Sequence, residues 1–218
     1  MIIIETLDLK LVCNLGNITA TVFRNGVLVD LLYYEHEIVT WVKALLYPDS
    51  KHSRLLYSLC KVADQCNAVF CAFGSLARGK DPRRDLDITV IAEENEEEVA
   101  HRLRDLASFF GLEWDGMIVH PREALQIADK VMRVRLEAID NIYMRNLGIA
   151  IIGLVCRDAL GEALRALTWL GYTRIEPFLW IPSALKAGKL LRKHINELPH
   201  DSPLRCWVES SLRNKVCN

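Results

Sequence analysis

No apolar run in the sequence reaches the roughly 20 residues that a membrane-spanning helix needs, and the longest, LGIAIIGLVC (147–156), is strand-sized. The start, MIIIETLDLK, has no basic leading segment and no small-residue cleavage site, which reads as a cytoplasmic protein without a signal peptide. There is no Cys-x-x-Cys pair. The seven cysteines (Cys13, Cys60, Cys66, Cys71, Cys156, Cys206 and Cys217) are odd in number and have no adjacent His, so they fit neither a zinc ribbon nor a disulfide framework. They read mostly as buried small hydrophobes in a reducing compartment, with an intracellular disulfide the open alternative. Internal repeats and low-complexity tracts are missing too, which excludes solenoid, collagen-like and disordered chains. A formal net charge of −1 argues against a general nucleic-acid coat protein.

What remains is an ordinary globular composition, 51% hydrophobic and 25% charged over 218 residues, enough for one compact domain with an appendage or for two small ones. The near-zero charge hides an asymmetry. Residues 1–120 carry 12 Lys and Arg against 18 Asp and Glu, whereas residues 121–218 carry 15 against 10. The basic second half is the part suited to holding phosphates.

Along the chain, ITATVFRNGVLVDLLYY (18–34) alternates around Asn25-Gly26 and predicts a β-hairpin. Helical spacing follows over 35–47, up to Pro48. Asp49 or Ser50 is placed to cap a helix over 51–66 that buries Leu55, Leu56, Leu59 and Val62. Strands are expected at AVFCAF (68–73), LDITVIA (86–92) and LEWDGMIVH (112–120), with an acid-led amphipathic helix over 93–111. Residues 122–146 read as helix and LGIAIIGLVC as a fourth strand. After residue 156 the pattern is helices broken by GYTRIEPFLWIP (171–182), then a helix over 183–198 and a short one near 203–215. The expected organisation is an N-terminal hairpin and helix (1–47), a central α/β (α+β) unit with a mixed sheet flanked by helices (48–156), and a helical C-terminal region (157–218). The apolar strand GVLVDLLYY in the hairpin seeks a partner surface, which suggests a homo-oligomer.

The specific chemistry sits in F-G-S-L-A-R-G-K-D-P-R-R-D-L-D-I-T-V, residues 73–90. Its first half fits G-x-x-x-x-G-K, but Asp81 stands where a phosphate loop needs Ser or Thr, and a strand rather than a helix follows. The alternative takes Gly74-Ser75 with Asp85-Leu86-Asp87. Two carboxylates at i and i+2 on a strand face the same way, about 7 Å apart, and can share divalent cations. Gly74 lets the backbone approach a phosphate, Ser75 offers a hydroxyl, and Arg78, Lys80, Arg83 and Arg84 add positive charge. Taken alone, Asp-x-Asp is more often an outward acid pair on a half-exposed strand; the nearby Gly-Ser turn favours metal-assisted chemistry on a phosphate.

This stretch resembles the signature of the polymerase-β-like nucleotidyltransferase superfamily, and G-S-L-A-R-G is similar to its minimal members. The resemblance covers 51–156. It departs where Arg84 replaces a common Ser before the first Asp, and where the loop is one residue short. It implies a nucleotidyltransferase fold that moves an NMP from an NTP, with ATP the favoured donor, to a hydroxyl acceptor with release of pyrophosphate. It implies two Mg2+ ions, with Mn2+ an alternative, held by Asp85, Asp87 and a third carboxylate; Asp115 is the best match and Glu113 the rival. Nucleotide binding would fall to Gly74, Ser75, Arg78 and Lys80. Lys189 and Lys193, on a cationic stripe with Lys186 beside Arg192, would close over the triphosphate; the plainer reading is a solvated helix face.

The acceptor stays open between a small molecule or protein, which is favoured, and an RNA 3′ end. A third reading is a nucleotide-binding regulatory module without catalysis. The near-neutral charge and the absence of a basic–aromatic stripe lean against a long nucleic acid. Trp169, Tyr172, Phe178 and Trp180 read as core or interface rather than a stacking platform, and His120 as an edge histidine rather than a base.

Overall fold

The computed structural model describes residues 2–5, 9–14, 19–24, 27–28, 40, 43–44, 47–134, 138–155 and 178–216. Strands β1 (Ile2–Glu5), β2 (Leu9–Asn14), β3 (Thr19–Arg24) and β4 (Val27–Leu28) form a four-stranded antiparallel meander in chain order. Arg24 pairs with Val27, the register expected of a hairpin with a two-residue connection. The first two strands carry no comparable turn signal, and the sequence reading places none there. Of the helix expected over 35–47, Thr40, Lys43 and Ala44 are helical and Tyr47 lies beyond them; the rest of it, and the strand beyond Leu28, fall outside the described residues.

Helix α1 (Lys51–Gln65) starts where its cap predicts: the Ser50 hydroxyl accepts from the Ser53 amide at 3.1 Å. Leu55, Leu56 and Leu59 are fully buried on its inner face, and Val62 is half-buried. The chain then enters β5 (Val69–Ala72), makes one short helical turn, α2 (Gly74–Ala77), and returns antiparallel as β6 (Asp85–Ile91). Helix α3 (Glu96–Phe109) has Glu96, Glu97 and Glu98 exposed in its first turn, so that acid run is a solvated helix start. It carries the chain over to a strand parallel to β6.

That third strand is broken. β7 (Glu113–Asp115) pairs with Asp85–Asp87, and β8 (Ile118–Val119) pairs with Val90–Ile91 further along. Between them a Cβ on Gly116 would collide with the Ile88 carbonyl oxygen, while the Trp114 indole donates to that same oxygen at 2.9 Å. Only glycine lets the two backbones approach so closely.

The sequence expectation fails for LGIAIIGLVC, which is helical: α5 spans Ile142–Val155. A short, wholly apolar run fits a buried helix as well as a buried strand. The helix expected over 122–146 accordingly divides into α4 (Pro121–Arg133) and the start of α5. Asn141 caps α5, its Oδ1 accepting from the amides of Tyr143 at 2.9 Å and Met144 at 3.1 Å. At Gly148 a Cβ would lie 2.5 Å from Val131 Cγ2, so glycine permits the close α4–α5 contact. The fifth strand of the central sheet lies instead in the stretch read as a break: β9 (Leu179–Ile181) pairs antiparallel with β5.

The result is a mixed α/β architecture, a five-stranded mixed sheet ordered β7-β6-β5-β9 with β8 also on β6, flanked by helices. Alternation along the strands divides the core. Phe70, Ala72, Leu86, Ile88 and Val90 pack with α1 and α3, while Val69, Cys71, Ile91 and Trp180 pack with α4 and α5. Helices α6 (Ala184–His194) and α7 (Pro203–Val216) join the latter side through Leu190, Leu191, Leu204 and Val208. Trp180 is 1% exposed and Phe178 is buried, as core residues; Trp169 and Tyr172 lie outside the described residues. No helix among the described residues is long and apolar enough to cross a membrane.

At the Ile91 end of the sheet, His194 sits between Glu93 (3.0 Å) and Glu197 (2.6 Å). Burial opposes its proton, but hydrogen bonds to Glu93 and Glu197 hold the imidazole above its usual value. Glu93 is held below the usual carboxylate range, chiefly by its hydrogen bond to His194. A raised imidazole stabilises the fold fully below about pH 6.5 and loses that contribution as pH rises through its folded value. The lowered carboxyl loses its own contribution as pH falls. The melting-temperature difference between wild type and Glu93→Gln is therefore largest near about pH 5–6 and shrinks on both sides. A difference independent of pH between about 5 and 9 would show that the pair contributes no linked protonation.

Candidate functional site

Alternation fixes which side chains of β6 share a face. With Leu86, Ile88 and Val90 committed to the α1 and α3 side, Asp85, Asp87 and Thr89 point to the other, where α5 lies. In the parallel register Asp85 stands opposite Glu113 and Asp87 opposite Asp115. Four carboxylates thus occupy one face at one end of two neighbouring strands, which lie about 4.8 Å apart. Asp85, Glu113 and Asp115 are exposed and Asp87 is half-buried.

The electrostatics follow from this crowding. Burial pushes the Asp87 carboxyl above its usual value, and the charges of Asp115 and Asp85 push it further; the Tyr143 phenol and Arg78 pull it back. Tyr143 lies in the first turn of α5, and burial together with the Asp115 and Asp87 carboxylates drives its phenol upward. Thr89, next along the same face, is fully buried with its hydroxyl unpartnered.

Gly74 opens the turn that faces these acids. The Phe73 amide donates to the Asp87 carbonyl at 2.9 Å, which extends the β5–β6 pairing to the edge of the turn. Gly74 then adopts φ +59, and a Cβ there would collide with the Asp87 carboxylate. Ser75, half-buried, lines a cleft of about 680 Å³ together with Lys80, Asp81, Arg83, Arg84, Asp85 and Asp87. Arg78 closes the turn, its amide donating to the Gly74 carbonyl at 3.3 Å, and the Lys80 amide donates to the Ser75 carbonyl at 3.0 Å.

From the other side the loop is buttressed by residues that sequence reading did not single out. The Thr40 hydroxyl donates to the Ala77 carbonyl at 3.4 Å, and Lys51 Nζ donates to the Pro82 carbonyl at 3.5 Å. His52 is buried nearby, and burial holds its imidazole below the ordinary value.

Gly74, Ser75, Arg78, Lys80, Asp85, Asp87 and both candidates for the third acid are therefore neighbours in space. Lys189 and Lys193 are not. Their helix α6 lies across the opposite end of the sheet, where Lys193 pairs with Glu93 at 3.6 Å and Lys186 with Asp64 at 2.9 Å. The sequence periodicity gives a cationic stripe correctly but not what that stripe faces. His120, also at that end, caps α4 by accepting from the Arg122 amide at 3.2 Å and meets the His194 ring edge-on. Cys60 is raised to about 11 by burial and by Asp64, so it is a neutral thiol without nucleophilic character.

The donors at the acid end are hard oxygens with unbalanced negative charge, which is chemistry suited to a divalent cation. Among the described residues no three His, Cys, Asp or Glu side chains form a ready-made metal site. The chain matches no protein-family model, no curated protein and no solved structure.

Proposed function

We propose that this chain is a divalent-cation-dependent nucleotidyltransferase of the polymerase-β-like superfamily, transferring an NMP from an NTP to a hydroxyl acceptor. One observation carries the reading. The carboxylates of Asp85, Asp87 and Asp115 share one face of two paired strands, and Asp85 and Asp87 meet a cleft that Ser75, Lys80, Asp81, Arg83 and Arg84 also line. Negative groups to hold cations beside positive groups to hold phosphates is the arrangement such a transfer requires.

Asp85, Asp87 and Asp115 would hold Mg2+, or Mn2+, and a bound cation would supply counter-charge and polarise a phosphoryl oxygen. The rest falls to the chain's own groups. The Ser75 hydroxyl holds a phosphate oxygen. Lys80, Arg83 and Arg84 neutralise the β- and γ-phosphates, and Arg78 offsets the charge of Asp87. Asp115 takes the acceptor's proton. A small molecule or a protein hydroxyl suits the site better than a long RNA, because the local charge is mixed and no aromatic stripe accompanies it.

The test is binding and transfer with a labelled NTP, ATP first. Labelled ATP is expected to bind with Mg2+ present, to be released by EDTA and to be recovered on adding Mn2+. Binding indifferent to EDTA would sink the cation-dependent reading.

A further inference from the structure

Trp114 stands in β7 between two exposed acids, Glu113 and Asp115, and faces away from them. Strand alternation sends its ring to the α1 and α3 side, where it packs half-buried against that core. Two contacts fix the ring. Its indole N–H donates to the Ile88 carbonyl at 2.9 Å, and the Arg104 guanidinium of α3 lies over it, 5.7 Å from the centroid.

Where the first contact falls is informative. The parallel pairing runs from Asp85–Glu113 to Asp87–Asp115, stops at the Gly116 step and resumes at Val90–Ile118. The Ile88 carbonyl lies inside that gap, so near Gly116 that a Cβ there would collide with it. Asp115 is therefore the last paired residue of β7. The indole bond runs from the residue just before Asp115 to the residue just after its partner, Asp87, and so closes the end of the ladder that the step leaves open. Glu113 has its own tie at the other end, its amide donating to the Arg84 carbonyl at 2.8 Å. An indole is a neutral donor, and this one is on the face away from the acids, so it can act on them only through the backbone.

From this geometry we infer that Trp114 is a positioning residue for Asp115, holding the end of β7 in the register that keeps that carboxylate opposite Asp87. The inference rests on the nucleotidyltransferase reading above, in which these acids hold a divalent cation. Without the N–H, the end of β7 is freed and Asp115 leaves its place beside Asp87. The pair on β6 stays where it is, as does the cleft lining of Ser75, Lys80, Arg83 and Arg84, to which β7 contributes nothing.

The experiment titrates the full chain with Mn2+ alone and follows the free ion by its electron paramagnetic resonance signal. Wild type and Asp87→Asn define the site. Trp114→Phe is made in the wild-type and the Asp115→Asn backgrounds, and melting curves report the fold of each variant. Trp114→benzothienylalanine, in the same two backgrounds, keeps the shape of the indole and lacks only its N–H, so the outcome does not hang on the folding of Trp114→Phe. Both replacements are expected to weaken Mn2+ binding about tenfold, the size of effect seen when a group that orients a metal ligand is removed. In the Asp115→Asn background they are expected to add nothing, because the ligand through which Trp114 acts is already gone. A general loosening of the fold would weaken binding in both backgrounds. Unchanged Mn2+ affinity in the folded Trp114 variants, or losses that add to that of Asp115→Asn, overturns the inference alone. Mn2+ binding that is absent from wild type, or indifferent to Asp87→Asn, overturns the nucleotidyltransferase reading and the inference with it.

Discussion

Replacing Asp87 by Asn is expected to abolish NMP transfer while raising the melting temperature of the ion-free protein. The two effects share one cause. Asp87 is half-buried on the central strand, and burial with the charges of Asp115 and Asp85 pushes its carboxyl above the usual value. A carboxylate under those constraints weakens the fold at neutral pH, since protonation is favoured more in the folded chain than in the unfolded one. Asn keeps the shape and removes the repulsion. A gain of about 1 kcal/mol corresponds to about 2–4 °C in a chain of this size. Transfer falls by about three orders of magnitude, because cation-assisted charge stabilisation is worth several kcal/mol and each 1.4 kcal/mol is about tenfold. The pair of measurements is labelled-nucleotide transfer and a melting curve without divalent ion. Retained transfer would remove Asp87 from the reaction, and an unchanged or lowered melting temperature would remove the crowding argument.

The second large effect belongs to Gly74→Ala. Gly74 adopts φ +59, which costs an alanine about 1 kcal/mol, and the added Cβ would collide with the Asp87 carboxylate. Asp87 is half-buried, with the cleft on one side of it and the Gly74 turn on the other. Either the turn or the carboxylate moves. The melting temperature is expected to fall by several degrees, and transfer by about a hundredfold, as a displacement near 1 Å at a reacting centre can cause. Gly79→Ala is the control. It shares the left-handed backbone at φ +65, but its Cβ would make only an ordinary contact, 3.4 Å from the Thr40 hydroxyl. If both variants lose transfer equally, backbone strain rather than the Asp87 collision is responsible.

Much of this site is legible in the sequence because its parts are local. The Ser50 cap, the Asn25-Gly26 hairpin signal and the Asp-x-Asp alternation each depend on a few adjacent residues. What is not legible depends on partners far along the chain. That Asp115 rather than Glu113 stands opposite Asp87 is a register between strands separated by a helix, and no local pattern encodes it. LGIAIIGLVC has no polar face to reveal its period, so its burial against α4 decides that it is a helix. β9 is three residues long, too short for alternation to register, and forms because β5 offers it an edge. The stripe of Lys186, Lys189 and Lys193 is real as a helix face, yet α6 crosses the sheet at the end away from the acids. Tyr143 leaves no signal at all, since the two carboxylates that raise its phenol come near it only through the fold.

The break at Gly116 gives the acid end unequal mechanical stiffness. Asp87 is held at both edges of its strand, by the Phe73 amide on its carbonyl and by β7, whereas Asp115 rides on three residues cut off from β8 by the glycine step. That short piece is tied down by its ladder to β6 and by the Trp114 indole on the Ile88 carbonyl, a small anchor beside the continuous pairing of β6. One wall of the site is therefore rigid and the other compliant. In the proposed transfer Asp87 would set the position of a cation and the β7 carboxylate would adjust to its radius.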